Sequence, residues 1–340
     1  MNRQPARLSR RQFIRITAMA GLATACGAGL SSLARSRQQV REVQETRMLL
    51  GSIAHLNIIS VDQDQARAAI NASFDRMAEL EDVFSRFRPY SQLSQLNIMG
   101  TLSDPHPELK TVLTKAIEYG DLTGGAFDVT VESLLEKYRH SAVSGTLPDD
   151  AQIVAAKQLV DYRQIEITDR VIRLKLQGMA ITLDGIAKGY IIDAGAAVLR
   201  EFGFEQILVE LGGDLQTYGS DVAHTWQVVI QQPPGTHNIP PITAQLVSHA
   251  MATSGDYQYT FTPDRRLNHI LNPHTGASPD ELSSATVIAP TACDADALST
   301  SLMVMGADAG LTMIAAQPDA EALVISKTGV VRRSAHFPAK

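Results

Sequence analysis

Apolar residues recur every three or four positions in four parts of the chain, which is the spacing of a helix that buries one face. Asp62 or Asp64 can cap the first of these helices, and glycines end the second and the third. The pattern therefore predicts four helices, which run from about Asp62 to Phe84, from Leu109 to Gly124-Gly125, from Ala187 to Phe202 before Gly203, and from Asp294 to about Met305.

Short β-rich runs occupy much of the remaining chain, and two of them form a hairpin around the turn-forming pair Thr168-Asp169. Hairpins mixed with helices, without regular alternation of strand and helix, favour an α+β fold over a doubly wound sheet. Residues 35–47 show neither pattern and are interpreted as a linker, so residues 48–340 are expected to form a single domain. The predicted strands cover residues 48–61, 165–167, 172–176, 206–211, 226–231, 242–247, 284–288, 322–325 and 330–333.

The first 34 residues have the features of a bacterial export signal. Arg10 and Arg11 precede a weakly apolar stretch from Ile16 to Leu33, and the whole segment has no acidic residue. Paired arginines before such a stretch are typical of a twin-arginine signal peptide, which predicts export to the periplasm by the Tat machinery. A retained membrane anchor is disfavoured by the Gly and Ser content of the stretch. A lipid anchor at Cys26 is disfavoured by the imperfect lipobox before it.

Composition argues against several classes of function. Without residues 1–34 the chain has 25 basic and 36 acidic residues, and 5% of the full chain is aromatic, so no nucleic-acid partner is expected. Cys26 and Cys293 provide neither a disulfide framework nor zinc spacing. The sequence also lacks Gly-x-Gly-x-x-Gly after a strand, Gly-x-Ser-x-Gly and His-Glu-x-x-His. A Rossmann site, a serine hydrolase and a zinc protease are therefore unsupported.

Two glycine-rich segments follow predicted strands and are candidate phosphate sites. In the first, Gly185, Lys188 and Gly189 open a helix, where free N–H groups, the positive end of the dipole and a cation can bind phosphate. In the second, Gly212-Gly213 precede Asp214 and allow a ligand close to the backbone. Taken alone, the first segment favours a plain turn with a solvated lysine, and a hairpin turn explains the second equally well.

Two later segments carry groups suited to catalysis. His269 stands before a loop bracketed by Asn272-Pro273 and Thr275-Gly276, where it can accept a proton near neutral pH. Asp296 and Thr300 are four residues apart on a predicted helix, so a carboxylate and a hydroxyl share one side. That pair suits Mg²⁺ completed by waters and a substrate phosphate. A structural histidine, and an aspartate that only offsets the helix dipole, are the alternatives.

Seven short segments over about residues 48–316 can be read together in chain order. They are Phe84-Ser85-Arg86-Phe87, Thr123–Asp128, Asp184–Tyr190, Gly212–Asp214, Ser254–Tyr257, His269–Gly276 and Asp296–Thr300. Any one of them is a weak signal, whereas seven in this order are specific. Together they resemble the signature of the ApbE family.

The resemblance implies an α+β, T-fold-like domain with mixed or antiparallel sheets and flanking helices. It also implies an enzyme, an FAD:protein FMN transferase, which uses FAD and Mg²⁺, moves FMN from FAD to a Ser or Thr hydroxyl of a target protein and releases AMP. By position, Asp296, Thr300 and the backbone carbonyl of Ala187 would hold Mg²⁺, and His269 would be the base. The residues implied to bind FAD are Ser85, Phe127, Asp128, Asp184, Gly185, Lys188, Gly189, Gly212, Gly213, Asp214, Ser254, Gly255, His269 and Thr275.

The sequence departs from the family pattern at Asn272, where the family has Asp before the proline. If that carboxylate orients the histidine, His269 is a weaker base here, so a periplasmic FAD carrier with little transferase activity is one alternative. An FAD pyrophosphatase is another. The resemblance implies an acceptor among flavin-bearing redox subunits of the NosR, Rnf or Nqr kind, and the export signal resembles that of NosX-like members of the family.

Overall fold

The computed structural model describes residues 19–20, 40–219, 225–236 and 238–339. Apart from Met19–Ala20, the predicted export signal lies outside these ranges. None of the helices in them combines the length and hydropathy that a bilayer crossing requires. Within the described ranges the α-helices are α1 (Gln63–Phe84), α2 (Gln92–Met99), α3 (Pro107–Leu122), α4 (Glu132–Ser144), α5 (Asp150–Lys157), α6 (Ala187–Glu201), α7 (Ala292–Met305) and α8 (Ala307–Ala315).

The strands of the described residues form three antiparallel sheets. The large sheet has eight strands in the order β14-β13-β12-β11-β8-β7-β3-β2, and two small sheets have the orders β1-β9-β10 and β4-β6-β5. The strands are β1 (Met19–Ala20), β2 (Arg41–Leu49), β3 (Ser52–Ser60), β4 (Thr101–Ser103), β5 (Ile165–Ile167), β6 (Val171–Leu174), β7 (Ile207–Leu211), β8 (Asp214–Tyr218), β9 (Trp226–Ile230), β10 (Ile242–Leu246), β11 (Ala250–Gly255), β12 (Leu282–Ala289), β13 (Glu321–Ser326) and β14 (Val331–Arg333).

Both faces of the large sheet are covered at its centre. Helices α1, α6 and α7 pack together, and α7 lies against β11 and β12. On the opposite face, side chains of β9 and β10 pack on the sheet through an apolar cluster that includes Leu215, Met251 and Ile288. Every residue of β12 is consequently buried, which explains its continuous rather than alternating apolar sequence.

Helix α1 forms where the periodicity predicts it. Asp62 caps the helix by accepting a hydrogen bond from the Gln65 N–H. The apolar side chains at three- and four-residue spacing, Ile70, Phe74 and Met77 among them, are all buried. Helices α3, α6 and α7 and the hairpins β5–β6 and β13–β14 also match their predicted segments within a few residues.

The predicted linker is wrong at its C-terminal end, because residues 41–47 belong to β2. The strand predicted over residues 48–61 is in fact the end of β2, a turn and β3. Leu50 and Gly51 make that turn with positive φ angles of 50° and 70°. Strand β2 is an edge strand and most of its side chains are exposed or half-buried, so its sequence lacks the apolar signal of a buried strand.

Helices α6 and α7 meet at Gly189. A Cβ added at this glycine would lie 2.1 Å from the Ala292 carbonyl oxygen, a backbone atom that cannot move aside easily. The absent side chain therefore sets how closely the two helices approach. This contact determines where the residues on either side of it, Lys188 on α6 and Asp296 on α7, are placed.

We expect Gly189→Ala to lower the free energy of unfolding by about 3 kcal/mol or more, because a methyl group there collides with backbone. Gly195→Ala is the matched control on the same helix. Its added Cβ meets the flexible Met77 side chain, with Sδ at 2.7 Å. The gain in helix propensity, about 1 kcal/mol, offsets much of that strain. Urea denaturation of both variants measures the difference, and equal losses would contradict the packing role of Gly189.

Candidate active site

A cavity of about 560 Å³ opens beside the N-terminus of α6 and the middle of α7. This volume lies within the usual range for small-molecule sites. Many of the sequence-predicted residues share it although they come from distant parts of the chain. Those that line the cavity are Phe127, Asp128, Asp184, Gly185, Lys188, Ser254, His269, Asp296 and Thr300.

Asp296 and Thr300 lie one helical turn apart on α7, as predicted, and both face the cavity. Asp296 is buried, and its Oδ2 accepts a hydrogen bond from the Gly189 N–H at 3.1 Å. Helix α6 has no side-chain cap of its own, so this carboxylate supplies one from the neighbouring helix. The second oxygen, Oδ1, is left for a ligand in the cavity.

A chain of hydroxyl groups fixes the hydrogen of Thr300. Ser299 Oγ donates to the Asp296 carbonyl at 3.0 Å, so it can only accept from Ser254 Oγ, 2.9 Å away. Ser254 must therefore accept from Thr300 Oγ1 at 3.1 Å. The Thr300 proton points to Ser254, and a lone pair of Thr300 remains for the cavity. This arrangement suits a hydroxyl that serves as a metal ligand.

Acidic groups outnumber basic ones around Asp296. The Lys188 Nζ lies 2.6 Å from Asp214 Oδ2, and the other Asp214 oxygen accepts from the Thr253 N–H at 2.9 Å. Burial and then the charge of Asp214 raise the pKa of Asp296 above its usual range, although Lys188 opposes the shift. Burial by itself lowers the pKa of Lys188, but the charges of Asp214 and Asp296 outweigh it and raise that pKa. Lys188 therefore stays protonated near neutral pH.

The donor set of this cavity fits Mg²⁺ and does not fit zinc. Among the described residues, no group of three or more His, Cys, Asp or Glu side chains could enclose a metal. Asp296 and Thr300 offer one carboxylate and one hydroxyl, and Mg²⁺ typically takes few protein ligands and completes its shell with water and phosphate. Ala187, the third predicted ligand, is the first residue of α6, two positions before the Gly189 N–H that contacts Asp296.

His269 is held with one ring nitrogen directed into the protein. Its Nδ1 lies 3.2 Å from the Tyr259 carbonyl oxygen, which can only accept, so Nδ1 carries the hydrogen. Nε2 consequently presents a lone pair. Burial lowers the pKa of His269, although the Tyr259 carbonyl opposes the shift. The ring is therefore neutral at pH 7 and can accept a proton.

The Asn272 side chain accepts its hydrogen bonds from the loop after His269 and not from His269 itself. Its Oδ1 accepts from the backbone N–H groups of His274 at 2.8 Å and Thr275 at 3.2 Å. An amide oxygen makes these two bonds as a carboxylate oxygen would. The residue that departs from the family pattern therefore takes no part in the hydrogen bond between His269 and the Tyr259 carbonyl.

Some predicted residues lie outside the lining of the cavity and support it instead. Ser85 accepts from the Phe87 N–H, Gly189 packs α6 on α7, and Gly255 lies against the Tyr257 ring. Thr275 is exposed and caps its own loop. Gly212 and Gly213 line a narrow recess that borders the cavity at Thr253 and Gln258.

Two residues at the site, Arg86 and Asp193, were not among the site residues that the sequence predicted. Arg86 Nε donates to Asp184 Oδ2 at 2.8 Å, and both residues line the cavity. Asp193 accepts from the N–H groups of Ala292 and Cys293 and so caps α7. Each pairing joins positions about 100 residues apart.

We expect Lys188→Met to lower the free energy of unfolding at pH 8 by about 3–5 kcal/mol, because Asp214 is left buried without its partner. Lys115→Met is the control: it breaks the half-exposed pair with Asp294, which should cost about 1 kcal/mol or less. Urea denaturation measures these changes, and a Lys188→Met variant as stable as the parent would contradict a stabilising role of the Lys188–Asp214 ion pair.

Known proteins resemble this chain in sequence and in fold. The sequence matches the family model described as "ApbE family" over residues 50–324. The FAD:protein FMN transferase of Treponema pallidum (strain Nichols) is 27% identical over 331 residues, covering 91% of each chain.

Two solved structures are similar to this chain in architecture and, more distantly, in sequence. The flavin transferase ApbE of Vibrio cholerae has a TM-score of 0.75 and 26% identity, covering 88% of this chain and 99% of that one. The ApbE protein of Thermotoga maritima has a TM-score of 0.76 and 29% identity, covering 86% and 97%. These likenesses confirm the predicted fold class, and the chain belongs to the ApbE family.

Proposed function

We propose that this protein is an FAD:protein FMN transferase that requires Mg²⁺. The observation that carries the proposal is that Asp296, Thr300, Lys188 and His269 face one cavity large enough for a nucleotide ligand. The names of the relatives supply the reaction. The oxygen of an acceptor Ser or Thr forms a new bond to the FMN phosphorus of FAD, the bond between the two phosphates breaks, and AMP leaves.

In the proposed reaction, each residue has a role that follows from its contacts. His269 accepts the proton of the acceptor hydroxyl at Nε2, while the Tyr259 carbonyl keeps Nδ1 protonated. Asp296 and Thr300 would hold Mg²⁺, and Ser254 keeps the Thr300 proton away from it. When bound, Mg²⁺ neutralises phosphate charge at this acidic site. Lys188 holds Asp214, one of the surplus carboxylates, in an ion pair.

Of the two other candidate functions, the FAD carrier loses its support and the pyrophosphatase has no observation in its favour. The FAD carrier was motivated by Asn272, whose side chain caps a loop and makes no contact that orients the base. The pyrophosphatase differs from the transferase only in using water as the acceptor. Among the described residues that line the cavity, none favours water over a hydroxyl as the acceptor.

One assay separates the three. The full-length chain is incubated with FAD, MgCl₂ and a purified acceptor subunit of the NosR, Rnf or Nqr kind. Fluorescent flavin on the acceptor in a denaturing gel, with release of AMP, is the expected result. Free FMN and AMP without labelling would indicate a pyrophosphatase, and unchanged FAD would indicate a carrier; either outcome contradicts the proposal.

We also propose that the protein acts in the periplasm. The pair Arg10-Arg11 and the weakly apolar stretch after it support export by the twin-arginine route. The enzyme would then act in the periplasm, on a periplasmic flavoprotein subunit, as in NosX-like members of the family. Immunoblotting of periplasmic fractions from cells with and without a functional Tat system tests this. Accumulation in the periplasm of both strains would contradict it.

We expect His269→Ala to bind FAD normally but to label the acceptor about 100-fold to 10,000-fold more slowly, the usual contribution of a general base. In the parent enzyme, kcat/KM should fall on the acid side with a midpoint below pH 6.5, because the pKa of His269 is lowered. Quenched time courses of acceptor labelling across a pH series measure both the rate of the variant and the pH dependence of the parent. An unchanged labelling rate in the variant would make His269 purely structural.

We expect Asp296→Asn to keep the fold and to lose the stimulation by Mg²⁺. The amide oxygen can still accept from the Gly189 N–H, but the charge that attracts the cation is gone. Labelling should fall by about 100-fold or more, since a bound cation contributes several kcal/mol to charge stabilisation. The Mg²⁺-dependent rise in thermal unfolding temperature with FAD present should also disappear. If that rise persists in full, Asp296 is not a metal ligand.

A further inference from the structure

A groove of about 860 Å³ adjoins the proposed flavin cavity. Arg86, Phe87 and Arg139 line both, so they form a shared rim between the groove and the cavity. The rest of the groove is built mainly from the loop before α2, from α2 itself and from α4, and it includes Pro89, Asn97, Ile98, Glu136 and His140.

Large apolar side chains are exposed along this part of the chain. Phe87 and Ile98 are each 74% exposed and both line the groove, and the nearby Tyr90 is 90% exposed. Exposed apolar side chains that cluster beside a polar rim are typical of protein-binding surfaces. The groove therefore has the character of an interface for a polypeptide.

The groove is preorganised by contacts beneath it. The side-chain amide of Asn97 both donates to the Ile181 carbonyl and accepts from the Ile181 N–H, each at 2.8 Å. The Ser91 hydroxyl donates to the Ser85 carbonyl and caps α2 through the Ser94 N–H. A surface held in this way loses little conformational entropy when a partner binds.

The rim is also held in place. Arg86 lies over the Phe87 ring, with its Cζ 4.0 Å from the ring centroid, and donates to Asp184 in the cavity. Arg139 forms an ion pair with the buried Glu132, which lines the groove. Both guanidinium groups are therefore anchored at the point where groove and cavity meet.

We propose that this groove binds an extended segment of the acceptor protein and directs its hydroxyl-bearing residue past the rim into the flavin cavity. An apolar side chain of that segment packs against Phe87 and Ile98. The inference rests on the proposed transferase function, because that reaction requires a polypeptide to reach the cavity from solvent. The continuity of groove and cavity at Arg86, Phe87 and Arg139 supplies such a path.

Two adjacent residues of α2 provide a matched test. Ile98 lines the groove and is 74% exposed, whereas Met99 is 70% exposed and does not line it. Ile98→Asp should raise the KM for the acceptor, and its Kd in a fluorescence anisotropy titration, at least about tenfold, with kcat and FAD affinity unchanged. Met99→Asp should change neither value, and Ile98→Leu should behave like the parent.

The outcomes distinguish this inference from the proposed function. Equal KM and Kd in the parent, Ile98→Asp and Met99→Asp would overturn the groove while leaving the transferase intact. Weaker FAD binding in Ile98→Asp would instead assign the groove to the dinucleotide, and a change in molar mass would assign it to a second copy of the chain; both overturn the inference. If the parent binds the acceptor through Ile98 but never labels it, the groove stands and the transferase proposal fails.

Discussion

The close approach of α6 and α7 at Gly189 is the constraint on which the site depends. Without a side chain at this position, the Gly189 N–H reaches the Asp296 carboxylate. One turn further along α6, Asp193 accepts from the first N–H groups of α7. Each helix therefore caps the other with a carboxylate. The two carboxylates lock the helices in register, and the register puts Thr300 and Lys188 at the cavity.

The same contact brings several carboxyl groups together in a buried part of the molecule. Asp214 and Asp296 both act on Lys188, and burial raises the pKa of the neighbouring Glu210 to about 7. Lys188 and Arg86 are each engaged with a carboxylate, Asp214 and Asp184 respectively. A diphosphate would meet mainly repulsion from these groups unless a cation accompanied it. The charge balance, like the ligand types, supports the proposed Mg²⁺ requirement.

The sequence predicted features that depend on local spacing and missed those that depend on contacts across the fold. The three- and four-residue spacing of Ile70, Phe74 and Met77 is enough to define α1, and the four-residue spacing of Asp296 and Thr300 is enough to put them on one side of α7. Strand β2 was missed because a mostly exposed edge strand has no continuous apolar run. Helix α2 was missed because its exposed end carries apolar residues that an amphipathic pattern assigns to the core.

For the site, too, the sequence predicted which residues take part but not the long-range contacts that position them. The order of the motifs was sufficient to predict that His269, Asp296 and Asp184 belong to one site. It did not indicate which contacts hold these side chains in place. Ser254 and Thr300 are 46 residues apart, and only the folded chain shows that their hydroxyls meet. The carbonyl of Tyr259, which sets the tautomer of His269, carries no side-chain signal at all.

Asn272 shows why a departure from a family pattern has to be judged by the atom that is used. Both hydrogen bonds accepted by its side chain involve one oxygen, Oδ1, and both donors are backbone N–H groups. A neutral amide satisfies them because neither bond requires a negative charge. The carboxylates that cannot be exchanged so freely are those opposite a cation, such as Asp214 beside Lys188. At such a position the charge, and not only the oxygen, holds the structure together, so substitution there disturbs the site while Asn272 preserves it.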